Sequence, residues 1–302
     1  MSKQDTLNRH RIIIQNLRNK PCSFEEILNR LKFDAELNES DFGYEISKRT
    51  FQRDLKEIQK LYKIYIRFNR SKKAYEIEED LSDDYSERMF EALDIFQALN
   101  LNQSISKYIQ FDTRKPLGTE HLNGLLHAIQ NRYQVQIRYQ KFYEDEPEVR
   151  TIEPYLLKEY RKRWYVFAYD VQKREFRTFG LDRISMLNIR PIKFQYPQKL
   201  DPNAYFENSF GIIGPGNRKT ENIKLVFTEN QGNYVRTMPL HKSQKITYDK
   251  NGEMHVELKL IPTYDFLMEI LYFGEYVKVI EPQSLVVELK AKLKKMKENY
   301  PD

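Results

Sequence analysis

The chain has 302 residues, a hydrophobic share of 40%, an aromatic share of 13% and a formal net charge of +6. That length allows two or three domains, each with its own core, and so many aromatics argue against a disordered chain. No apolar run reaches the roughly 20 residues needed to cross a bilayer, no signal-peptide core follows Met1, and the lone Cys22 can form no intrachain disulfide. A cytoplasmic protein without a membrane partner is expected.

The placement of charge says more than its sum. Residues 42–75 hold ten basic side chains against three acidic ones, and an acidic run follows at 76–84. Such a block suggests a polyanion-binding module with a boundary behind it. The plain alternative is two solvated faces of opposite sign.

In chain order, Leu7, Ile12, Ile13, Ile14 and Leu17 predict a first helix over residues 7–18. Ser23 can cap a second, with Glu26 in capping-box position and Phe24, Ile27, Leu28 and Leu31 as its apolar stripe. Ser47 opens a third, with Phe51, Leu55, Ile58 and Leu61 spaced four, three and three apart. Residues 64–68 and 74–77 alternate as strands around a basic turn. Three helices and a basic-tipped hairpin make the order of a winged helix-turn-helix.

The third helix turns Lys48, Arg49, Thr50, Gln52, Arg53 and Lys56 away from its apolar stripe, near its N-terminal end. These residue types reach base edges and phosphates from a recognition helix. Arg70, Lys72 and Lys73 at the hairpin tip are expected to add phosphate contacts. Arg53 and Asp54 could instead form a structural ion pair, and for Asp54 a structural role is favoured. The segment matches the pattern S-x-R-T-x-x-R-D-L at Ser47, Arg49, Thr50, Arg53, Asp54 and Leu55, and so resembles the recognition helices of bacterial winged-helix repressors.

Phe90, Leu93, Phe96, Ala98, Leu99 and Leu101 predict helix within residues 86–111. Leu122, Leu125, Leu126 and Ile129 predict another within 119–133, after a break at 113–118. Residues 81–133 are therefore expected to form a helical linker that supports a dimer, as two-fold operators need paired heads. Strand signals follow at 135–139, 150–157, 163–170, 174–184 and 184–194. Five short strands with polar turns suggest a small barrel or a strongly curved sheet. Residues 196–220, with three prolines and three glycines, read as a linker. The last segment, 221–302, has the order β-α-β-β-α-β of a ferredoxin-like unit.

The richest stretch is 163–184, which holds the only tryptophan and four arginines. A hairpin here can fix guanidinium groups, which bind phosphates as forks, beside aromatic rings that stack on bases. Alternation puts Trp164, Val166 and Ala168 on one face and Tyr165, Phe167 and Tyr169 on the other. Trp164 and Tyr165, with Val166 in place of leucine, together with Pro154, Tyr169, Arg177, Phe179, Leu181, Asp182, Arg183 and Ile184, resemble the WYL domain of bacterial transcription regulators. The G-x-x-V-x-V-x-x-P segment from Gly274 to Pro282 resembles the C-terminal extension of those regulators. The basic run Arg161-Lys162-Arg163 departs from the family, which commonly has a glycine turn there.

The resemblance implies an α+β multidomain chain. It would have a winged helix-turn-helix at 1–80, a helical linker at 81–133, an Sm- or SH3-like WYL barrel at 134–200, a linker at 201–220 and a ferredoxin-like extension at 221–302. It implies a ligand-responsive regulator that binds double-stranded operator DNA as a homodimer, and it points towards DNA-damage or phage-defence genes. The implied effector is nucleotide-like or a single-stranded nucleic acid, and its expected contacts are Tyr139, Arg161, Arg163, Tyr165, Arg177 and Arg183. Trp164 is expected in the core, and Asp182 is expected to orient Arg183 or cap a turn.

No enzymatic chemistry is legible. The five histidines show neither an H-E-x-x-H pair nor companion cysteines, so neither a metal site nor a cofactor is expected. Residues 211–217 place Asn217 where a phosphate-binding loop needs lysine. Ser104 to Lys107 is a bare S-x-x-K without companion motifs. Two rival readings fit the sequence: a nucleic-acid-processing enzyme, disfavoured by the missing carboxylate cluster, and an adaptor that lacks operator specificity.

Overall fold

The structure, a computed structural model, describes residues 3–37, 46–100 and 118–300. It is an α+β protein in two compact units, divided between Thr113 and Arg114.

The first unit begins with three helices, α1 (Lys3–Asn19), α2 (Phe24–Leu37) and α3 (Lys48–Tyr62), followed by strands β1 (Ile64–Asn69) and β2 (Ala74–Asp80) and helix α4 (Asp84–Asn100). The α2 cap is reciprocal: Ser23 Oγ accepts from the Glu26 N–H at 3.2 Å, and the Glu26 carboxylate accepts from the Ser23 N–H at 2.7 Å. Ser47 caps α3 by accepting from the Thr50 N–H at 3.1 Å. The hairpin pairs Phe68 with Tyr75 and Asn69 with Ala74. Its β2 edge is extended by Cys22, which exchanges two backbone hydrogen bonds with Tyr75.

Ile13, Ile14, Ile27, Leu31, Phe51, Ile58 and Tyr62 fill the core of this unit. Each fully buried side chain of this size contributes about 1.5–3 kcal/mol. The expected stripe of α3 is corrected at its end, because Leu61 is exposed and Tyr62 takes the core position. Asp54 has the structural role favoured for it, with Arg9 rather than Arg53 as its partner. Its carboxylate receives the Arg9 fork, Nε at 2.9 Å and Nη2 at 3.0 Å, whereas Arg53 lies 3.8 Å from Glu57.

The helix expected to begin a linker also packs in the first unit. Phe90 of α4 joins the core, Glu87 binds Arg18 at 2.6 Å and Asp94 binds Arg11 at 2.8 Å. Leu101, the rest of the helix expected to 111, Ser104 to Lys107 and the break at 113–117 lie outside the described residues, as do the side chains of Phe96, Ala98 and Leu99.

The second unit opens with a 3-10 turn (Thr119–His121) and helix α5 (Leu122–Asn131). Strands β3 (Tyr133–Tyr139), β4 (Glu148–Tyr160), β5 (Arg163–Asp170), β6 (Glu175–Gly180) and β7 (Ile184–Lys193) follow, arranged β6-β5-β4-β3-β7 with antiparallel neighbours. Strands β6 and β7 occupy opposite edges, yet one 3-10 turn (Leu181–Arg183) joins them. A flat sheet of five strands would hold its edges about 19 Å apart. The four steps from Gly180 to Ile184 reach at most about 14 Å, so the sheet must curl strongly.

Both faces of this sheet are covered. On one side Leu125 and Ala128 of α5 meet Val135, Ile137, Ile152, Val166, Ala168, Phe179 and Leu181. Helix α5, expected as part of a linker, is therefore a core element of this unit. On the other side Tyr155 and Phe167 pack with Phe194, Phe206 and Tyr205. Phe167 and Tyr169, on the face of β5 opposite Val166 and Ala168, are closed over by this segment.

Residues 196–220, expected to be a linker, thus carry a packed short helix, α6 (Pro202–Phe206), capped by Asp201. The segment continues into the last part of the chain, where Asp265 accepts from the Ile212 N–H at 2.8 Å and Ser209 bridges to Ile261. There β8 (Glu221–Thr228), α7 (Glu229–Thr237), β9 (Lys245–Lys250), β10 (Glu253–Leu260), α8 (Tyr264–Tyr272), β11 (Val277–Glu281) and α9 (Gln283–Glu298) form a four-stranded antiparallel sheet, order β11-β8-β10-β9. Ile223, Leu225 and Phe227 alternate inwards with Val256 and Leu258, against Phe266, Leu267 and Ile270 of α8. Among the described residues no helix is long and apolar enough to cross a membrane.

Candidate nucleic-acid interface and ligand site

In the first unit, burying Phe51, Asp54, Ile58 and Tyr62 fixes which way α3 faces. Lys48, Arg49, Gln52, Arg53 and Lys56 are consequently exposed, while Thr50 is half-buried and its hydroxyl lies 3.0 Å from that of Ser47. Lys48 sits 5.9 Å over the Phe24 ring, and the Gln52 amide donates to the Tyr75 hydroxyl at 3.1 Å. Arg49 and Lys56 make no ion pair among the described residues. The arrangement offers a helix face with cations at its N-terminal turns, where the helix dipole also favours an anion.

The hairpin tip is less uniform than its sequence suggests. Arg70 and Lys73 are exposed, and Lys73 takes a left-handed backbone (φ 50°) in the turn. Lys72 is engaged by Glu76 at 2.8 Å, and Arg67 also reaches Glu76. Hydrogen bonds from Lys72 and Asn69 hold the Glu76 carboxyl down at about 2. One carboxylate thus draws on two of the cations of the hairpin, leaving Arg70 and Lys73 without an ion pair among the described residues.

In the second unit, four of the six expected ligand residues come together: Tyr139, Arg163, Tyr165 and Arg183. Their centre is Asp182, in the turn between β6 and β7. Arg163 Nη1 donates to Asp182 Oδ2 at 2.8 Å. The other oxygen, Oδ1, lies 4.0 Å from Arg183 Nε, and both atoms are shielded from water without a hydrogen-bond partner among the described residues. The Arg183 guanidinium lies between two rings, 5.0 Å from the centre of Tyr139 and 4.8 Å from that of Phe142. Such contacts strengthen as the cation is desolvated.

Tyr139 and Tyr165 are buried, and burial raises the pKa of both hydroxyls. The Tyr139 hydroxyl accepts from the Gly180 N–H at 3.4 Å. Gly180 has no room for a side chain: a Cβ would stand 2.6 Å from Asp182 Oδ1 and 3.0 Å from the Arg183 guanidinium. Trp164 is half-buried against the core beneath α5, and Val166 is fully buried. Chemically, the cluster presents two guanidinium groups, aromatic faces and one acceptor with an open valence, a set that suits a planar or anionic ligand.

The other two expected ligand residues stand apart. Arg161, in the turn between β4 and β5, binds Glu269 of α8 at 2.6 Å. Arg177 pairs with Ala168 while Gly180 pairs with Tyr165, so it sits about 10 Å along the sheet. Its Nε donates to Glu175 at 2.7 Å. Sequence reasoning missed Phe142. Its signal is the adjacent pair Phe142-Tyr143, strongly exposed in a polar turn.

Residues 120–189 match the WYL domain family and residues 219–297 match the WCX domain family. No curated protein sequence matches the chain. Among solved structures, proteasome accessory factor B/C (PafBC) of Arthrobacter aurescens is 18% identical with a TM-score of 0.37, covering 94% of this chain. The chain spans 46% of the length of that protein. A crystal structure described as a CRISPR Cas-related protein is 13% identical with a TM-score of 0.38, covering 98% of this chain and 92% of its own. The first family match takes in α5, strands β3 to β6, the first part of β7 and the Asp182 cluster, and the second takes in the four-stranded sheet with its helices. The chain therefore carries a WYL domain with a WCX domain behind it.

Proposed function

We propose that this protein is a transcription regulator that binds operator DNA as a homodimer and responds to a nucleotide-like or single-stranded nucleic acid effector. In this reading residues 1–80 are a winged helix-turn-helix with α3 as the recognition helix. The curled five-stranded sheet is the sensor barrel and the four-stranded unit a ferredoxin-like extension. The protein acts by binding rather than by catalysis, inside the cytoplasm. The observation that carries the reading is the α3 face, whose exposed Lys48, Arg49, Gln52, Arg53 and Lys56 surround a buried stripe. The effector is assigned to the Asp182 cluster, where an anion would compete for Arg163 and reach Arg183. To regulate, it must favour one DNA-binding state by differential affinity.

Fluorescence anisotropy tests this with duplex DNA from upstream of the protein's own gene, random duplex as control and short single strands as effector, across a salt series. Specific binding that weakens with salt is expected. Arg49→Ala with Arg53→Ala should lose about 1–3 kcal/mol for each base contact removed. Arg163→Ala should keep duplex affinity and lose the effector response. Equal, weak binding to every duplex would sink the operator model and promote the adaptor reading.

A further inference from the structure

His10, on α1, has no account in the fold or in the DNA reading. It is fully buried, and neither ring nitrogen has a hydrogen-bond partner among the described residues. Buried polar groups are almost always satisfied, so an orphaned imidazole points to a missing water or ion. Its Nε2 is aimed between two carboxylates of α3, 3.7 Å from Asp54 Oδ1 and 3.7 Å from Glu57 Oε2. One donor atom from each of the three residues lies within 4.8 Å of the others. Asp54 and Glu57, three residues apart, share one side of their helix.

A distance of 3.7 Å is too long for a hydrogen bond. It is close to the spacing of donors around a tetrahedral ion, about 3.4 Å for bonds of about 2.1 Å. We propose that His10, Asp54 and Glu57 bind a divalent transition-metal ion of the zinc class, joining α1 to α3. Imidazole with carboxylates suits such ions, whereas calcium and magnesium favour oxygen alone. Arg9, whose fork grips Asp54 at 2.9 and 3.0 Å, is the kind of outer donor that orients a ligating carboxylate. Each carboxylate oxygen has lone pairs enough for both roles. The Glu57 side chain, 42% exposed, gives the ion a way in, and its other oxygen is 3.8 Å from Arg53. The site does not depend on what α3 binds.

The test is a Zn²⁺ titration of the 302-residue chain, stripped of metal by a chelator and read against a chromogenic competitor. One saturable equivalent is expected, and Glu57→Gln should weaken it at least tenfold while melting like the metal-free wild type. X-ray absorption of the zinc-loaded wild type should find one imidazole nitrogen, with oxygen for the remaining ligands. That measurement decides the matter even if the variant fails to fold. No saturable binding, unchanged affinity in Glu57→Gln, or a shell containing sulfur or several imidazoles would each overturn the site.

Discussion

Charged residues do their work here by being held. For Asp54, burial acts to raise the pKa, but the side chains of α1 that face it, the Arg9 fork among them, outweigh it and the carboxyl ends below its usual range. Lys63 and Ser86 hold Asp83 at about 2, as Lys72 and Asn69 hold Glu76. A carboxyl with a lowered folded-state pKa adds stability that is complete above its unfolded value near 4 and is lost as pH falls through the folded value. The first unit should therefore lose stability between about pH 4 and pH 2. Denaturant melts followed by circular dichroism at stepped pH check this. Glu76→Gln with Asp83→Asn should flatten the loss, and an equally steep loss in that variant would refute the assignment. That Asp54 is structural was legible in the sequence. Its partner Arg9 was not, because the two meet only through the packing of α1 on α3.

At the scale of elements, caps and strand alternation were the most legible signals. Ser23 with Glu26, and Ser47, stand at the helix starts where local chemistry put them. Ser47→Ala should cost about 1 kcal/mol, as cap losses do, lowering the melting temperature of the first unit. An unchanged melting temperature would mean that tertiary packing alone sets the start of α3. The slip from Tyr62 to Leu61 has a geometric cause. At about 100° per residue, eleven steps from Phe51 return within about 20° of its direction, whereas ten steps miss it by about 80°. Local spacings of four, three and three looked helical but drifted off the buried face. Similarly, alternation in β5 separated its faces correctly and could not reveal that a distant segment covers the second one.

The covering segment sets behaviour at the scale of the whole molecule. Its prolines and glycines read as a linker, but Phe194, Tyr196, Tyr205, Phe206 and Phe210 are apolar surface that needs a partner. They find it on the five-stranded sheet and, through Phe210, in the core of the four-stranded one. The two sheets of the second unit should therefore unfold together. Phe206→Ala should remove about 3–5 kcal/mol and lower that shared transition in calorimetry. Two separable transitions within residues 114–302 would refute the coupling. The curled sheet and the four-residue ligand cluster escaped the sequence for the same reason. Asp182 gathers Arg163 and Arg183 only after β6 and β7 are brought to opposite edges and bent together.

The sheet order also carries a history of synthesis. Strand β3 pairs with β4 on one side and with β7 on the other, where Tyr133 meets Lys193. A ribosome adding about 5–20 residues each second needs about 3–12 s to deliver that second partner. During that interval the nascent chain exposes an unfinished edge, open to any passing strand. Whatever slows translation between these two strands lengthens that exposure, so the yield of folded protein should depend on codon choice as well as on amino-acid sequence.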